Sequence, residues 1–454
     1  MGDVLGPSEP IYKSGQGVQP PLEQRLLAVP AYRYYVLVLL TLGYAVNVMD
    51  RAVLGVLNEA IKAAFNASDK QLGLLGGIAF ALFYATFGIP IAAWADRSNR
   101  RNVLAWAVSA WSAMTALCGL AVNFTMLLAA RAGTAVGEAG GTPPSHALIS
   151  DYFPLRQRGT ALSLYALGVP LGAMAGSFLG GWGNEYCGWR TTFILVGLPG
   201  ILFALVIRFT LVEPNRGMSD GAARGASKTE APPIFAVFRF LWHERPAFRH
   251  LSLAAALHSV VWYAGSSGFN ASFLQRSHGM TSGQAGSWLA VMSLIGALGT
   301  FLGGYLGDRL SVRYDDRRWY LWLPAGATLT MVPFQFYSYL AQSLPIYMTA
   351  FAIMTVLASF FFGPSFAMTQ GLATVRMRAV ATSLLLFIQT LIGQGLGPFI
   401  AGAISDHLQP AYGRDSLRYA LVIVGLVNIW AAAHYYWGAR TLRADLEATE
   451  REQT

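Results

Sequence analysis

The chain has 454 residues, of which 54% are hydrophobic and only 12% are charged, and its formal net charge is +9. Soluble proteins carry about 25% charged residues, whereas residues 103–130 and 321–375 of this chain contain none. Each of these stretches exceeds the roughly 20 apolar residues that cross a bilayer, so the composition excludes a soluble protein. The basic residues lie in short connectors and form no basic helix face, which excludes nucleic acid as a partner.

Apolar runs, separated at charges and at Pro and Gly breaks, predict twelve membrane-spanning helices, which we number spans 1 to 12. Their predicted limits are 33–62, 70–94, 102–121, 125–148, 158–182, 190–211, 249–275, 284–306, 319–340, 345–372, 379–404 and 416–439. The polar connector after span 6 divides them into two sets of six. The predicted fold class is therefore an all-α integral membrane protein built from two six-helix bundles.

This division defines five regions of the chain. They are an N-terminal segment at 1–32, a first six-helix bundle at 33–212, a linker at 213–248, a second six-helix bundle at 249–440 and a tail at 441–454. An even number of spans places both termini on the same side of the membrane. The connectors on the opposite side hold only six basic residues: Lys62, Lys70, Arg190, Arg276, Arg414 and Arg418. Because cytoplasmic loops carry the excess of Lys and Arg, we expect both termini in the cytoplasm, and the short loops favour a bacterial inner membrane.

The connectors repeat a charged signal at equivalent places in the two halves. The signal is an Asp-Arg pair with further arginines: Asp96, Arg97, Arg100 and Arg101 after span 2, and Asp308 and Arg309 after span 8. Pairs of arginines also precede spans 5 and 11, at 156–158 and 376–378. A signal that recurs at matching points of two six-span halves indicates duplication with parallel topology and hence pseudo-symmetric bundles.

The connector after span 2 resembles the loop signature of the major facilitator superfamily. Ala92 and Asn99 stand where that signature has glycine, whereas Gly304 is kept in the second copy. The resemblance covers the whole chain as twelve spans. It implies a secondary transporter that works by alternating access, and it implies nothing about the cargo.

Two further segments narrow the resemblance. Span 1 contains Asn47 followed by Asp50 and Arg51, and span 4 contains the run from Arg131 to Glu138. Together they resemble the Spinster family, whose animal members move sphingosine-1-phosphate or lysophospholipids. Organic-anion and sugar-acid transporters also place Asn-x-x-Asp-Arg in span 1 and a carboxylate in span 4, so an organic-anion or sugar-acid:proton symporter remains the alternative.

Four charged residues fall deep inside predicted spans: Asp50, Arg51, Arg131 and Glu138. A charge at mid-bilayer costs about 2.5–3.5 kcal/mol on insertion scales, so these side chains need partners or a water-filled cavity. Residues 131 and 138 are two helical turns apart and share a face, whereas residues 50 and 51 point about 100° apart around their helix. One member of that pair is expected to face a cavity and the other to pack against a neighbouring helix.

The resemblance to the Spinster family implies a role for each of these charges. Asp50 and Glu138 would carry the coupling proton, and Arg51 and Arg131 would bind an anionic group of the substrate. Further candidates for contact with a small amphipathic or organic-anion substrate are Asn47, His258, Trp262, Tyr263 and Gln370. Buried ion pairs can also be purely structural, and a single His in a helix more often bonds to a neighbouring residue.

The charged connectors are candidates for a conformational gate. Asp96, Arg97, Arg100 and Arg101 would close the cytoplasmic side in one half, and Asp308 and Arg309 in the other. In this interpretation Asp96 pairs with nearby arginines and accepts hydrogen bonds from the N-terminus of a neighbouring helix. The alternative interpretation is that these charges only determine topology.

Motifs of other function classes do not occur in the chain. It has no phosphate-binding loop of the G-x-x-x-x-G-K-[ST] type, no zinc-binding His-Glu-x-x-His and no metal-binding cluster. We therefore expect no enzyme activity, no metal and no cofactor apart from protons as the coupling ion. A transport-dead sensor or scaffold would normally lose its intramembrane charges, so the four charges favour a functioning proton-coupled transporter.

Overall fold

The computed structural model describes residues 29–220, 233–374 and 376–452, and within these ranges the regular structure is entirely helical. Most of the predicted N-terminal segment, residues 1–28, lies outside the described residues. The helices follow the predicted spans, and we call them segments 1 to 12 with the numbers of those spans. An all-α architecture is thereby confirmed.

Segments 1 to 6 precede the linker. Their helices are Pro30–Phe65, Asp69–Gly76 with Ile78–Arg97, Arg100–Gly119, Phe124–Glu138 with Thr142–Tyr152, and Leu155–Ala166 with Gly168–Thr210. The last of these holds segments 5 and 6, which are divided at Gly188, where a φ of 75° interrupts the helical geometry. Glycine adopts this left-handed conformation without the steric cost of a Cβ atom.

Segments 7 to 12 follow the linker in the same order. Their helices are Pro246–Tyr263 with Asn270–His278, Ser282–Tyr314, Trp319–Leu340, Leu344–Ala358 with Phe362–Gly371, Arg378–Ile388 with Gly395–Tyr412, and Ser416–Gly425 with Val427–Arg451. Segments 7 and 11 are each interrupted by one wide π-helical turn, at Ala264–Phe269 and Gln389–Gln394. Such turns occur frequently at functional sites.

Length and hydropathy identify six stretches of the described chain that could cross a membrane. They are Pro30–Phe65, Asp69–Arg97, Leu155–Thr210, Ser282–Tyr314, Leu344–Gly371 and Arg378–Arg451. Two of these stretches contain two predicted spans each, whereas segments 3, 4, 7 and 9 do not meet the same criteria. The outer surface is apolar, with exposed side chains such as Trp106, Phe209 and Phe301. Large exposed apolar surfaces of this kind are typical of contact with lipid.

The linker and the tail contain more structure than the sequence predicted. A helix, Ile234–Glu244, forms inside the predicted linker, and segment 12 continues to Arg451 through the predicted tail. The cause is apolar packing, because Val237 and Leu241 of the linker helix share one hydrophobic cluster with Leu442 and Leu446 of segment 12. Burial of such side chains stabilises each by about 1.5–3 kcal/mol.

Segment 5 packs very closely against segment 1. Glycines at 168, 172 and 176 lie against the backbone of residues 41, 45 and 49, one helical turn after another. A Cβ atom at Gly172 would lie only 2.2 Å from the carbonyl oxygen of Ala45. Small residues at this spacing let two helix backbones approach each other. This contact holds segment 1, and with it Asp50 and Arg51, in a defined position.

Candidate functional site

An ion pair joins segments 1 and 4 in the interior of the first half. Arg51 Nε donates to Glu138 Oε2 at 2.7 Å, and the side chain of Glu138 is fully buried while that of Arg51 is 20% exposed. Arg51 Nη2 also donates to Asn47 Oδ1 at 3.4 Å, one turn earlier in segment 1. Glu138 and Asn47 therefore hold the guanidinium group, while the Arg51 side chain keeps part of its surface exposed.

Asp50 points away from its neighbour Arg51, as the 100° rotation per residue predicts. Its carboxylate is 1% exposed and accepts a hydrogen bond from the Thr115 hydroxyl of segment 3 at 2.9 Å. A buried carboxylate is costly without such partners. Sequence reasoning missed Thr115, because one hydroxyl residue in an apolar span carries no signal of its own.

Arg131 has no close ion-pair contact with either acid. It is buried and interacts electrostatically with both Asp50 and Glu138. Within the described chain, four buried polar atoms of this cluster lack a hydrogen-bond partner: Arg131 Nε and Nη1, Asp50 Oδ1 and Glu138 Oε1. Native proteins rarely leave buried polar atoms unpaired, so this cluster has spare capacity for a proton, water or a polar ligand.

Aromatic rings surround the two arginines. The Arg51 guanidinium lies 4.6 Å from the ring centre of Phe80 and 5.1 Å from that of Tyr84, and Arg131 lies 5.5 Å from Phe80. Tyr263 of segment 7 interacts electrostatically with Arg51 from the other half of the protein. Among the predicted substrate contacts, the structure thus brings Asn47 and Tyr263 to Arg51.

The other predicted substrate contacts have different surroundings. His258 is buried in the second half, where its ring nitrogens lie 3.0 Å from Asn428 Oδ1 and 2.9 Å from the Ala358 carbonyl oxygen. The Trp262 ring packs edge-on against Phe362, and Gln370 is exposed. None of the three has a hydrogen bond to the charged cluster within the described chain, so their substrate roles stay predictions.

A second charged cluster, which sequence reasoning missed, joins the two halves at the end opposite the charged connectors. Arg276 of segment 7 donates to Glu59 of segment 1 at 2.6 and 3.0 Å and to Asp69 of segment 2 at 2.7 Å. Lys62 donates to Asp69 at 2.5 Å. We call these four residues the Arg276 cluster. The sequence signal for the Arg276 cluster was the presence of both acidic and basic residues at an end of the molecule whose connectors hold few charges.

Two carboxylates cap helices across the interface at the same end. Asp406 of segment 11 accepts from the backbone N–H groups of Asp69 and Lys70 at 2.9 Å, where segment 2 begins. Glu185 of segment 5 accepts from the N–H group of Gly283 at 2.9 Å, where segment 8 begins. Segments 2 and 8 occupy equivalent positions in the two halves, as do segments 11 and 5, so the two contacts are pseudo-symmetric.

The sequence contains a signal for the two capped helix starts. Segment 2 begins with a capping box of Ser68 and Gln71, and segment 8 begins with the equivalent Thr281 and Gln284. A capping box identifies a helix start but not the residue that reaches it from another helix. The partners Glu185 and Asp406 therefore required the tertiary structure.

The predicted gate residues of the first half lie at the other end of the molecule. Asp96 and Arg97 are exposed, and Asp96 has no partner among the described residues. Arg100 instead forms an ion pair with Asp151 of segment 4. The backbone N–H groups of Arg100 and Arg101 donate to the Glu213 carboxylate, so the helix-capping role expected of Asp96 belongs to Glu213 here.

The predicted gate residues of the second half also have partners only within that half. Asp308 accepts from the Tyr320 hydroxyl at 2.7 Å, and Arg309 Nη1 donates to the Tyr305 hydroxyl at 3.2 Å. No hydrogen bond of these gate residues joins the two halves in the described chain. The contacts between the halves described here, which are the Arg276 cluster, the two caps and hydrogen bonds such as that from Asn58 Nδ2 to the Gly268 carbonyl oxygen, lie at the end opposite the charged connectors.

Comparisons with known proteins identify the family. The model of the Major Facilitator Superfamily matches residues 40–391 and 251–454. An MFS-type efflux pump of Mycolicibacterium smegmatis is 30% identical over 90% of this chain and 92% of its own length. A probable L-galactonate transporter of Escherichia coli is 26% identical over 92% of each chain. The sphingosine-1-phosphate transporter SPNS2 of Danio rerio is 26% identical over 86% of this chain and 81% of its own.

A solved structure is similar over nearly the whole chain. It is a bacterial homolog of the human lysosomal transporter Spinster in an inward-facing and unoccupied conformation, with a TM-score of 0.83 and 34% identity. The match covers 91% of this chain and 98% of the solved one. This chain is a multi-pass membrane protein that belongs to the major facilitator superfamily of transporters and resembles its Spinster members.

Proposed function

We propose that this protein is a proton-coupled secondary transporter of an amphipathic anionic, lysolipid-like substrate, and that it crosses the membrane twelve times. The observation that carries the proposal is the pairing of Arg51 with Glu138 beside the unpaired polar atoms of Asp50 and Arg131. Ionisable groups inside a membrane segment are expensive and mark substrate or proton pathways by default.

The ion pair supplies a mechanism for coupling substrate to protons. An anionic headgroup that approaches the exposed part of Arg51 competes with Glu138 for the guanidinium group. Once Glu138 loses its cationic partner, its buried carboxylate is stable only when protonated, because burial disfavours the charged form. Substrate binding and proton uptake are therefore linked at Glu138, and Asp50, whose charge interacts with Arg131, is the second carrier of the coupling proton.

The surroundings of Arg51 suit the apolar part of an amphipathic substrate. Tyr84 and Tyr263 are half-buried on opposite sides of the interface between the halves, and Phe80 lies under the guanidinium group. Aromatic side chains offer large apolar contact areas together with a polar tip. The similarity to a sphingosine-1-phosphate transporter supports a lipid-like cargo.

Alternating access would proceed from the state seen here. The Arg276 cluster and the two caps close the outer end, and their separation would accompany closure at the charged connectors by Asp96, Arg97, Arg100, Arg101, Asp308 and Arg309. In this proposal both termini lie in the cytoplasm of a bacterium, the two halves at 33–212 and 249–440 move as units, and the bilayer is the inner membrane.

A sugar-acid:proton symporter is the second candidate function. The observation that favours it is the similarity to a probable L-galactonate transporter over 92% of this chain. Arg51 and Arg131 would bind a carboxylate as well as a phosphate, because guanidinium groups recognise both. The two candidates differ in the apolar part of the substrate.

Binding measurements on purified protein test both candidates. A lysophospholipid and a sugar acid are titrated at acidic and at neutral pH into the natural protein, into Glu138→Gln and into Glu447→Gln, whose acid is exposed on the tail. We expect pH-dependent binding of the lysophospholipid that loses its pH dependence only in Glu138→Gln. Binding of the sugar acid alone would favour the second candidate. Lipid binding with the same pH dependence in all three proteins would contradict the role of Glu138.

A further inference from the structure

The linker helix Ile234–Glu244 presents three different faces. Successive residues rotate by about 100°, so residues four apart share a face. Val237 and Leu241 are buried against the second half. Ile234 and Phe235 are exposed, and Phe235 is 77% accessible. Arg239 and His243 form an exposed polar edge. The apolar face lies between this edge and the buried residues Val237 and Leu241.

The apolar face is continuous and aromatic. Phe238 and Trp242 lie on it one turn apart, with their rings stacked at 5.3 Å between centres. Phe238 and Trp242 are half-buried, and Phe235 on the same face is exposed. Phe and Trp side chains on one side of a helix, beside a cationic residue such as Arg239, are typical of helices that lie in the plane of a membrane surface. Around this helix, the face buried against the protein is followed by the apolar face and then by the polar edge that carries Arg239. This order fits a helix that contacts the protein, the bilayer and the cytosol at once.

The height of the helix along the molecule fits a membrane surface. Trp430, Tyr436 and Trp437 are exposed on segment 12, and Trp and Tyr side chains collect at the boundary between lipid and water. The Trp437 ring lies 6.0 Å from the ring of His250, which is six residues past the end of the linker helix. The linker helix ends at Glu244, shortly before His250 in the chain, so it lies near these aromatic side chains.

The linker helix is firmly attached to segments 11 and 12. Arg245, at its end, is buried and donates to Glu452 at 2.6 Å and to Thr449 at 3.1 Å. Val237 and Leu241 share a hydrophobic cluster with Ala381 and Leu385 in the first helix of segment 11. A force on the linker helix is therefore transmitted to segment 11 through direct packing.

We propose that the linker helix is an in-plane membrane helix whose aromatic face enters the cytoplasmic leaflet and whose Arg239 and His243 edge binds the phosphates of anionic lipids. Its occupant is the bilayer itself, and the proposal holds whatever the transported cargo is. Anionic lipids draw the helix towards the headgroups, because cationic residues near an anionic surface strengthen binding several-fold. The lipid composition of this leaflet thereby acts on the position of segment 11.

Spin labels on single cysteines measure the depth of each face. The background protein carries Cys118→Ala and Cys187→Ser, since these are its only cysteines. Labels are placed by Phe235→Cys, Trp242→Cys, Arg239→Cys and His243→Cys in the full chain. The protein is reconstituted in nanodiscs of phosphatidylcholine with phosphatidylglycerol. Leu298→Cys, on an apolar exposed site of segment 8, and Glu447→Cys, on the tail, provide the reference for lipid and for water.

We expect the labels at 235 and 242 to collide with oxygen several-fold more often than with a water-soluble nickel chelate, and the labels at 239 and 243 to do the reverse. Equal nickel access at all four positions would place the aromatic face in the cytosol and overturn the proposal. Protection at 235 and 242 from both reagents, in detergent as well as in nanodiscs, would mean that a second copy or another protein segment covers the face, which also overturns it.

The lipid preference has a separate test on the same label. With the label at 235, replacing phosphatidylglycerol by phosphatidylcholine should lower the ratio of oxygen to nickel collisions. The same exchange should have no effect when Arg239→Gln and His243→Gln are added. A ratio that does not respond to the exchange in the parent protein would contradict the binding of anionic headgroups.

Discussion

Asp50 and Arg51 are neighbours in the chain but belong to different environments. Helix geometry alone predicts that they point in different directions. The sequence could not identify Thr115 as the partner of Asp50 or assign Glu138 to Arg51 instead of Arg131, because those contacts join segments that are far apart in the chain. The identity of the charges was thus predictable, whereas their pairing was not.

The Thr115 hydroxyl should influence the pH dependence of transport. It donates to the Asp50 carboxylate and so stabilises the ionised form. Hydrogen bonds to charged groups contribute about 1.5–3 kcal/mol, so in Thr115→Val the pH at half-maximal transport should rise by about one to two units. Uptake into vesicles across a range of pH measures this value.

Thr115→Ser is the matched control for this substitution. It keeps the hydroxyl, so its pH profile should stay close to that of the natural protein. If Thr115→Val and Thr115→Ser transport with the same pH midpoint, the hydrogen bond to Asp50 has no part in coupling.

Among the elements, the closest contacts are made by glycines and by helix ends. The glycine repeat of segment 5 was visible in the sequence, and small residues at every fourth position predict close helix packing. The sequence did not identify segment 1 as the partner helix, since several helices could have received that face. The same holds for the two capped helix starts. The sequence shows the capping box of each start, but it does not identify the carboxylate that reaches it from another helix.

Gly172 offers a test of the packing between segments 1 and 5. In Gly172→Val, the Cβ atom would lie 2.2 Å from the Ala45 carbonyl oxygen, so the helices must separate. Overpacking costs about 1–3 kcal/mol, and we expect the thermal unfolding temperature of the purified protein to fall by several degrees. Gly88→Val is the control, because a Cβ at Gly88 meets no atom within 4 Å. Equal unfolding temperatures for the two variants would rule out this contact as a determinant of stability.

Arg276 should hold the outer end closed. In Arg276→Gln, the largely buried Asp69 and the partly buried Glu59 lose their shared cation across the interface. Removal of one partner of a buried ion pair costs about 3–5 kcal/mol, so the population should move towards a state that is open at this end. Spin labels at Ala64→Cys and Ala411→Cys, on exposed ends of segments 1 and 11, should show a longer distance by double electron–electron resonance.

Arg443→Gln is the control for the Arg276 experiment. Arg443 is an exposed cation that pairs with Glu447 on the tail, within one helix. Its loss should leave the distance distribution unchanged, since exposed pairs contribute about 0–1 kcal/mol. The same distribution for Arg276→Gln and the natural protein would show that the cluster does not hold the two halves together.

At the scale of the whole molecule, the two halves contact each other at the end opposite the charged connectors. The repeated connectors after segments 2 and 8 indicate a duplication in the sequence, and the division into two bundles stays a prediction. The sequence did not predict correctly which end of the molecule is closed. The charged connectors were predicted to close their end of the molecule, but the structure has the opposite end closed by residues that carried no recognised motif.

The orientation of the molecule can be tested by reporter fusions. Because basic residues concentrate on the side of both termini, green fluorescent protein fused after Thr454 should fluoresce in the cytoplasm. Alkaline phosphatase should be active when fused after Arg414 and inactive when fused after Arg313. An active phosphatase at Arg313 would reverse the predicted topology.

The sequence by itself determined the all-helical membrane fold and identified the four intramembrane charges, and it predicted a division into two related halves. These features depend on local composition, helical periodicity and repetition, which a single chain displays directly. The tertiary structure decided which charges form ion pairs and that Thr115 donates a hydrogen bond to Asp50. It also decided that Arg276 joins the halves and that part of the linker folds into a helix. These contacts lie between residues up to about 200 positions apart, and their geometry is set by the packing of whole helices.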